Sequence, residues 1–209
     1  MRNVNWGSVD AKTEGEFARI EPGAYVGCIG SMEDEPSKEY VRLLFDIIEG
    51  PHKGYFSDGF YTDKPWAHSL ILSYKDTALG MLKGRFQTIE ACNPGFDPFA
   101  AWDAGRLDMF AGRKVGLVFR EEEYWDKKTE EFKLGSARCF RLCKLDEVPT
   151  MSTPKPKMLS DADKVQALVR AGYGQLDAQQ MVDDLKARAA SQGQPVAATP
   201  ADYSDVPFV

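Results

Sequence analysis

What is scarce in this 209-residue sequence does much of the excluding. No apolar run approaches the roughly 20 residues a membrane-spanning helix needs, so a transmembrane protein is not expected. The opening MRNVNWGSVD lacks an apolar signal-peptide core, so export by that route is not expected either. Histidine occurs only as His52 and His68, neither beside a nucleophile pattern, which leaves both with surface or structural roles. There is no P-loop, nucleophile elbow or glycine-rich dinucleotide fingerprint. The four cysteines have no C-x-x-C spacing, which reads as reduced thiols in a cytoplasmic chain. Cys139 and Cys143 fall on one expected strand, where four residues span roughly 13 Å, too far to share a zinc ion. The acidic run Glu121-Glu122-Glu123 alternates across a strand instead of converging, so it reads as a solvated charge run. No metal, cofactor or catalytic centre is expected, and the chain is not read as an enzyme.

What is present is an ordinary globular composition, 43% hydrophobic and 28% charged, with a net charge of −6. A negative chain binds nucleic acid only if its Lys and Arg gather in a local groove.

The pattern changes near residue 149. Residues 1–148 read as one β-rich domain. Residues 149–159, with Pro149, Pro154 and Pro156, read as a linker. Residues 160–190 read as a helical segment, capped at Ser160 and interrupted by Gly172 and Gly174. Its narrow apolar stripes (Val165, Leu168, Val169; then Met181, Val182, Leu185) must dock on the barrel or on another chain. Residues 191–209 lack the apolar content to fold and are expected to be disordered.

Within the first domain, Ala24–Met32 and Glu39–Glu49 read as strands. In the second, Val41, Leu43, Phe45 and Ile47 share one face at period two. Trp66–Ser73 is a third strand. Leu79, Leu82, Phe86 and Ile89 mark a helix over Thr77–Ala91, ended by Asn93-Pro94-Gly95. Arg113–Trp125 and Phe132–Leu145 read as two more strands joined by a turn at Asp126-Lys127-Lys128. Three strands, a helix, then two strands is the order of a five-stranded OB-fold barrel, a mainly β fold with one helix between strands three and four.

Basic and aromatic residues interleave along this domain. The candidate strand-binding residues are Arg42, Tyr61, Lys64, Trp66, Tyr74, Lys75, Lys83, Arg85, Arg113, Lys114, Arg138 and Arg141. Single-stranded nucleic acid is held by this mixture, with aromatic faces for stacking at about 1–3 kcal/mol per base and cations along the backbone. The alternative is that the aromatics fill the barrel and the cations solvate its outside.

The chain ends in ADYSDVPFV, where a polar tail has no folding need for Phe208. Asp205-Val206-Pro207-Phe208, with Asp202 before it, resembles the C-terminal tip of bacterial and phage single-stranded DNA-binding proteins. That family places an OB-fold first and a partner-binding tip last. The stretches SKEYVRLLFDIIEGPHKGYF and SYKDTALGMLKGRF also look like phage-encoded proteins proposed to bind single-stranded DNA. Here Val209 follows the phenylalanine that ends the family's tip, and the tip carries fewer acids. The resemblance implies a single-stranded DNA-binding protein of phage replication or recombination, which would recruit replication proteins through Asp202, Asp205, Val206, Pro207 and Phe208. Self-association is left open. The competing expectations are a protein-binding adaptor or host-interfering phage protein acting through the helices, and a small phage nuclease.

Overall fold

The computed structural model describes residues 19–57, 60–61 and 63–191. Strands β1 (Gly23–Glu35), β2 (Tyr40–Ile47), β3 (Ser69–Ser73), β4 (Lys114–Arg120) and β7 (Arg138–Cys143) form one antiparallel sheet in the order β3-β2-β1-β4-β7. Strands β5 (Glu123–Asp126) and β6 (Glu131–Leu134) pair with each other in a separate two-stranded sheet. The helices are α1 (Leu79–Cys92), α2 (Pro98–Asp103), α3 (Asp161–Ala171) and α4 (Gln175–Ser191). Among the described residues no helix is long and apolar enough to cross a membrane.

β1 makes the curvature possible. Its first half pairs with β4 and its second half with β2, and the register shifts between Ile29 and Ser31. A bulge there bends the strand and raises its twist, which lets a sheet curl on itself. Gly116 lets β4 and β7 close up, because a Cβ there would lie 2.8 Å from the Cys143 carbonyl oxygen. The two outermost strands, β3 and β7, come into contact without a ladder between them. Arg85 of α1 lies at this seam, donating from its guanidinium to the Ile71 carbonyl on β3 at 2.6 Å. The result is a mainly β, nearly closed five-stranded barrel with helices, consistent with an OB-like barrel.

The expected inner face of β2 is the observed one: Val41, Leu43, Phe45 and Ile47 are buried among Ile29, Leu72, Leu117 and Phe119. α1 buries Leu82, Phe86 and Ile89 against that core. Asn93, at its C-terminal end, ties the helix to β4, donating to the Ile89 and Lys114 carbonyls and accepting from the Lys114 amide. One mouth of the barrel is filled by rings. Phe56 packs edge-on to Phe45 at 5.6 Å, and Tyr25, Tyr55 and Tyr61 close around it. The Asp46 carboxylate holds that loop by accepting from the Ile47, Phe56 and Ser57 amides.

Three elements differ from the sequence expectation. The span expected as one strand over Arg113–Trp125 divides into β4 and β5, and that over Phe132–Leu145 into β6 and β7. Between the halves the chain leaves the barrel and forms its own hairpin, turning through Glu130 at a positive φ of 53°. Residues Trp66–His68, expected at the head of the third strand, instead belong to a 3-10 turn over Pro65–His68. The short helix α2 was not foreseen; Asp97 caps it by accepting from the Phe99 and Ala100 amides.

The β5–β6 hairpin is the docking platform for the C-terminal helices. Val165 and Leu168 of α3 and Ala178 and Val182 of α4 form a second small core against Trp125 and Phe132. Glu123, 7% exposed, accepts from the Leu159 amide at 2.9 Å and pairs with Lys164 at 3.4 Å. The preceding segment is tied down as well, since Lys157 exchanges backbone hydrogen bonds with Glu121 and Glu123.

Candidate nucleic-acid interface

The structure divides the sequence-predicted residues into those committed to packing and those left outward. Tyr61 belongs to the first group: it shares a 2.9 Å hydrogen bond with the Tyr55 hydroxyl and packs on Phe56. Tyr74 lies edge-on to Trp102 and donates to Asp34 at 3.1 Å, and burial with that carboxylate pushes its hydroxyl pKa up. Arg85 spans the barrel seam, and its burial lowers its pKa. Arg113 lies 4.2 Å above the Phe96 ring and donates to the Met109 carbonyl. Arg42 pairs with Glu33 at 3.5 Å, and Lys114 with Glu49 at 3.4 Å. Lys75 and Lys83 are exposed around the start of α1.

The remaining four, Lys64, Trp66, Arg138 and Arg141, are brought toward the β3–β7 side of the barrel by the Pro65–His68 turn and by β7. Trp66 is 62% exposed, an unusual place for a large ring. The Arg138 guanidinium lies 5.8 Å from its centroid. Arg138 is the register partner of Arg120 across β4–β7, so both side chains stand on one face. Arg120 in turn lies 4.0 Å over the Phe140 ring and shares the Glu122 carboxylate, while Arg141 approaches the same ring at 5.9 Å. Lys64 sits 3.4 Å over Phe60. Cations over ring faces are held in place while their outer N–H groups remain able to meet phosphate.

Arg120 was not among the sequence candidates. Its signal lies in the pairing of β4 with β7, which strand spacing alone could not supply. Asp202, Asp205, Val206, Pro207 and Phe208 lie outside the described residues.

The histidines are packed. His52 lies edge-on to Tyr25 at 5.5 Å, and His68 lies 5.5 Å from the Phe56 ring. Among the described residues no group of three or more His, Cys, Asp or Glu side chains is gathered as for a metal ion. Known protein families supply no model that matches this chain, and no curated protein is significantly similar to it.

Proposed function

We propose that this chain is a sequence-independent single-stranded DNA-binding protein built on an OB-fold barrel, acting in phage DNA replication or recombination. The observation that carries the reading is Trp66, a largely exposed indole flanked by Arg138, itself registered beside Arg120. An exposed ring next to paired guanidiniums offers a base a stacking face and its phosphate a cation. In such barrels, oligonucleotides bind on the second and third strands and on the loops after the first and fourth. Here the loop after the fourth barrel strand is the β5–β6 hairpin, which follows directly from Arg120. The strand would be protected on the barrel in the host cytoplasm, and the Asp205–Phe208 tip would recruit replication proteins.

A second reading rests on α4, where Leu176 is 85% and Leu185 42% exposed although the helix is docked. Such residues suit an adaptor that binds protein and has no affinity for DNA.

Titration with oligo(dT), followed by tryptophan fluorescence at low and moderate salt, separates the readings. The proposal expects saturable, salt-sensitive quenching and weak duplex binding. No binding at low salt would sink it in favour of the adaptor, and strand cleavage on adding Mg²⁺ would favour a nuclease.

A further inference from the structure

Among the described residues the exposed aromatic rings are Phe60, Trp66 and Tyr124, the last at 46%. Lys64 already sits over the Phe60 ring. Tyr124 lies on β5, the first strand of the hairpin that leaves the barrel after Arg120. Between β4 and β5 the chain stays extended, bridged at Glu122 to Lys157, so alternate side chains share a side. Arg120 bonds the Glu122 carboxylate at 3.1 Å, which puts those two together. Glu123 and Trp125 turn the other way, toward Lys164 and the small core of α3 and α4. Tyr124 therefore stands with Arg120 and Glu122, on the hairpin face away from the helices. Its cross-strand neighbour is Lys133, and its ring rests beside Gly135, where an added Cβ would lie 3.4 Å from Cδ1. The missing side chain at Gly135 gives the ring room to lie along the hairpin.

We propose that Tyr124 is a second stacking platform, and that the bound strand runs from Trp66 across Arg138 and Arg120 onto the β5–β6 hairpin. The proposal rests on the single-stranded DNA reading above. Three links make the route continuous. The Arg138 guanidinium meets the Trp66 ring at 5.8 Å. Arg138 is the register partner of Arg120, so their backbones lie about 5 Å apart. From Arg120 to Tyr124, four extended residues cover about 13 Å, the length of about four stacked nucleotides at roughly 3.4 Å each. Glu122 is the carboxylate on this stretch, and both Nε and Nη2 of Arg120 donate to it, which offsets its charge where phosphates would pass. Every base has a π face, so a second ring lengthens the site without adding a base preference.

The test uses the full chain, two variants and oligo(dT) of about 16 nucleotides, the upper end of what one such barrel covers. Tyr124→Phe keeps the π face and should bind within about 2-fold of the intact protein. Tyr124→Leu keeps an apolar cover beside Gly135 but has no π face. It should keep the thermal midpoint within a few degrees and weaken binding by about 5- to 150-fold, at an unchanged salt slope. Ultraviolet cross-linking of the same oligonucleotide to the intact protein gives a readout that no variant's folding can disturb, and should mark both Trp66 and Tyr124. A folded Tyr124→Leu protein that binds within 2-fold of the intact one would overturn the second platform. So would a Tyr124→Phe loss as large as that of Tyr124→Leu, or cross-links at Trp66 without Tyr124. Each of these leaves the DNA-binding reading standing. Failure of the intact protein to bind oligo(dT) at low salt would take down that reading and the second platform together.

Discussion

Replacing Trp66 with alanine separates a stacking platform from a surface ring of no consequence. A tryptophan buries up to about 250 Å² when fully enclosed, and this one is 62% exposed, so the substitution gives up roughly 90 Å² of contact. At about 25 cal/mol per Å² that is at most about 2 kcal/mol of fold stability, small against the roughly 5–15 kcal/mol of a typical domain. The variant should therefore remain folded at room temperature, with its thermal midpoint lowered by several degrees at most. If a base stacks on the indole, the same change should cost about 1–3 kcal/mol of oligo(dT) affinity, or roughly 5- to 150-fold. No charge is removed, so the dependence of log K on log salt should keep its slope. Of the described tryptophans, Trp102 and Trp125 are packed against Phe86 and Phe132, so in a Trp6→Phe background most of the binding-induced quenching should disappear with Trp66. Trp66→Phe keeps a π face and should recover much of the affinity. A loss below twofold in a folded Trp66→Ala protein, or a changed salt slope, would refute the stacking role.

Arg85 and Arg138 should part company although both were sequence candidates. Arg85→Met leaves the Ile71 carbonyl unpaired at the barrel seam and should cost about 1–3 kcal/mol of stability, read by urea denaturation, with little change in salt slope. Arg138→Ala should leave stability within about 0.5 kcal/mol, weaken binding across all sequences and reduce the salt slope by about one. Glu123→Ala removes the acceptor shared by Lys164 and the Leu159 amide, at a cost of about 2–4 kcal/mol given that Lys164 is partly exposed. Hydrogen exchange should then speed up in α3 and α4 while β1, β2 and β4 stay protected. Burial pushes Cys139 up to about 12 and Cys143 up to about 11. Thiol alkylation of the native protein at pH 8 should therefore be very slow at both, and far faster in guanidinium. A raised thiol pKa favours the folded state below pH 9 and loses that contribution as pH climbs through the folded value, so stability should fall between about pH 9 and 12.

The barrel was legible wherever a local pattern carried its own geometry. The period-two face of β2 needs no partner to be seen, because Val41, Leu43, Phe45 and Ile47 alternate with Arg42 and Asp46. Ser160 and Gly172 marked the ends of α3 by the same local logic, since the hydroxyl accepts the Asp163 amide and Gly172 takes a φ of 110°. The division of the last two barrel strands was not legible. Glu121 and Glu122 continue an extended, alternating run, and only the choice of partner, β7 for β4 and β6 for β5, breaks it. The site was half legible for the same reason. Composition named the rings and cations, but burial decides their use, and whether Tyr61 fills a barrel mouth or Trp66 faces solvent depends on where the loop after β2 folds back. Asp46 fixes that, and its role was invisible until its three backbone amides were in place.

The net charge of −6 then ceases to be an objection by itself. Screening at physiological salt confines the influence of an exposed charge to about 8 Å, so the charges nearest the strand matter more than their sum. Several of the described acids sit apart from the Trp66 turn. Glu33, Asp34, Glu35 and Glu39 flank the β1–β2 connection, and Asp177, Asp183 and Asp184 lie on α4. The carboxylate in contact with these guanidiniums is Glu122, which bonds Arg120, while Arg138 and Arg141 have no carboxylate partner among the described residues. Two guanidiniums with no carboxylate partner among the described residues, one of them donating to the Met151 sulfur, and a lysine would give a modest electrostatic hold. On the single-stranded DNA reading, affinity would therefore come largely from rings, which makes the exposed indole a stricter requirement than any one cation.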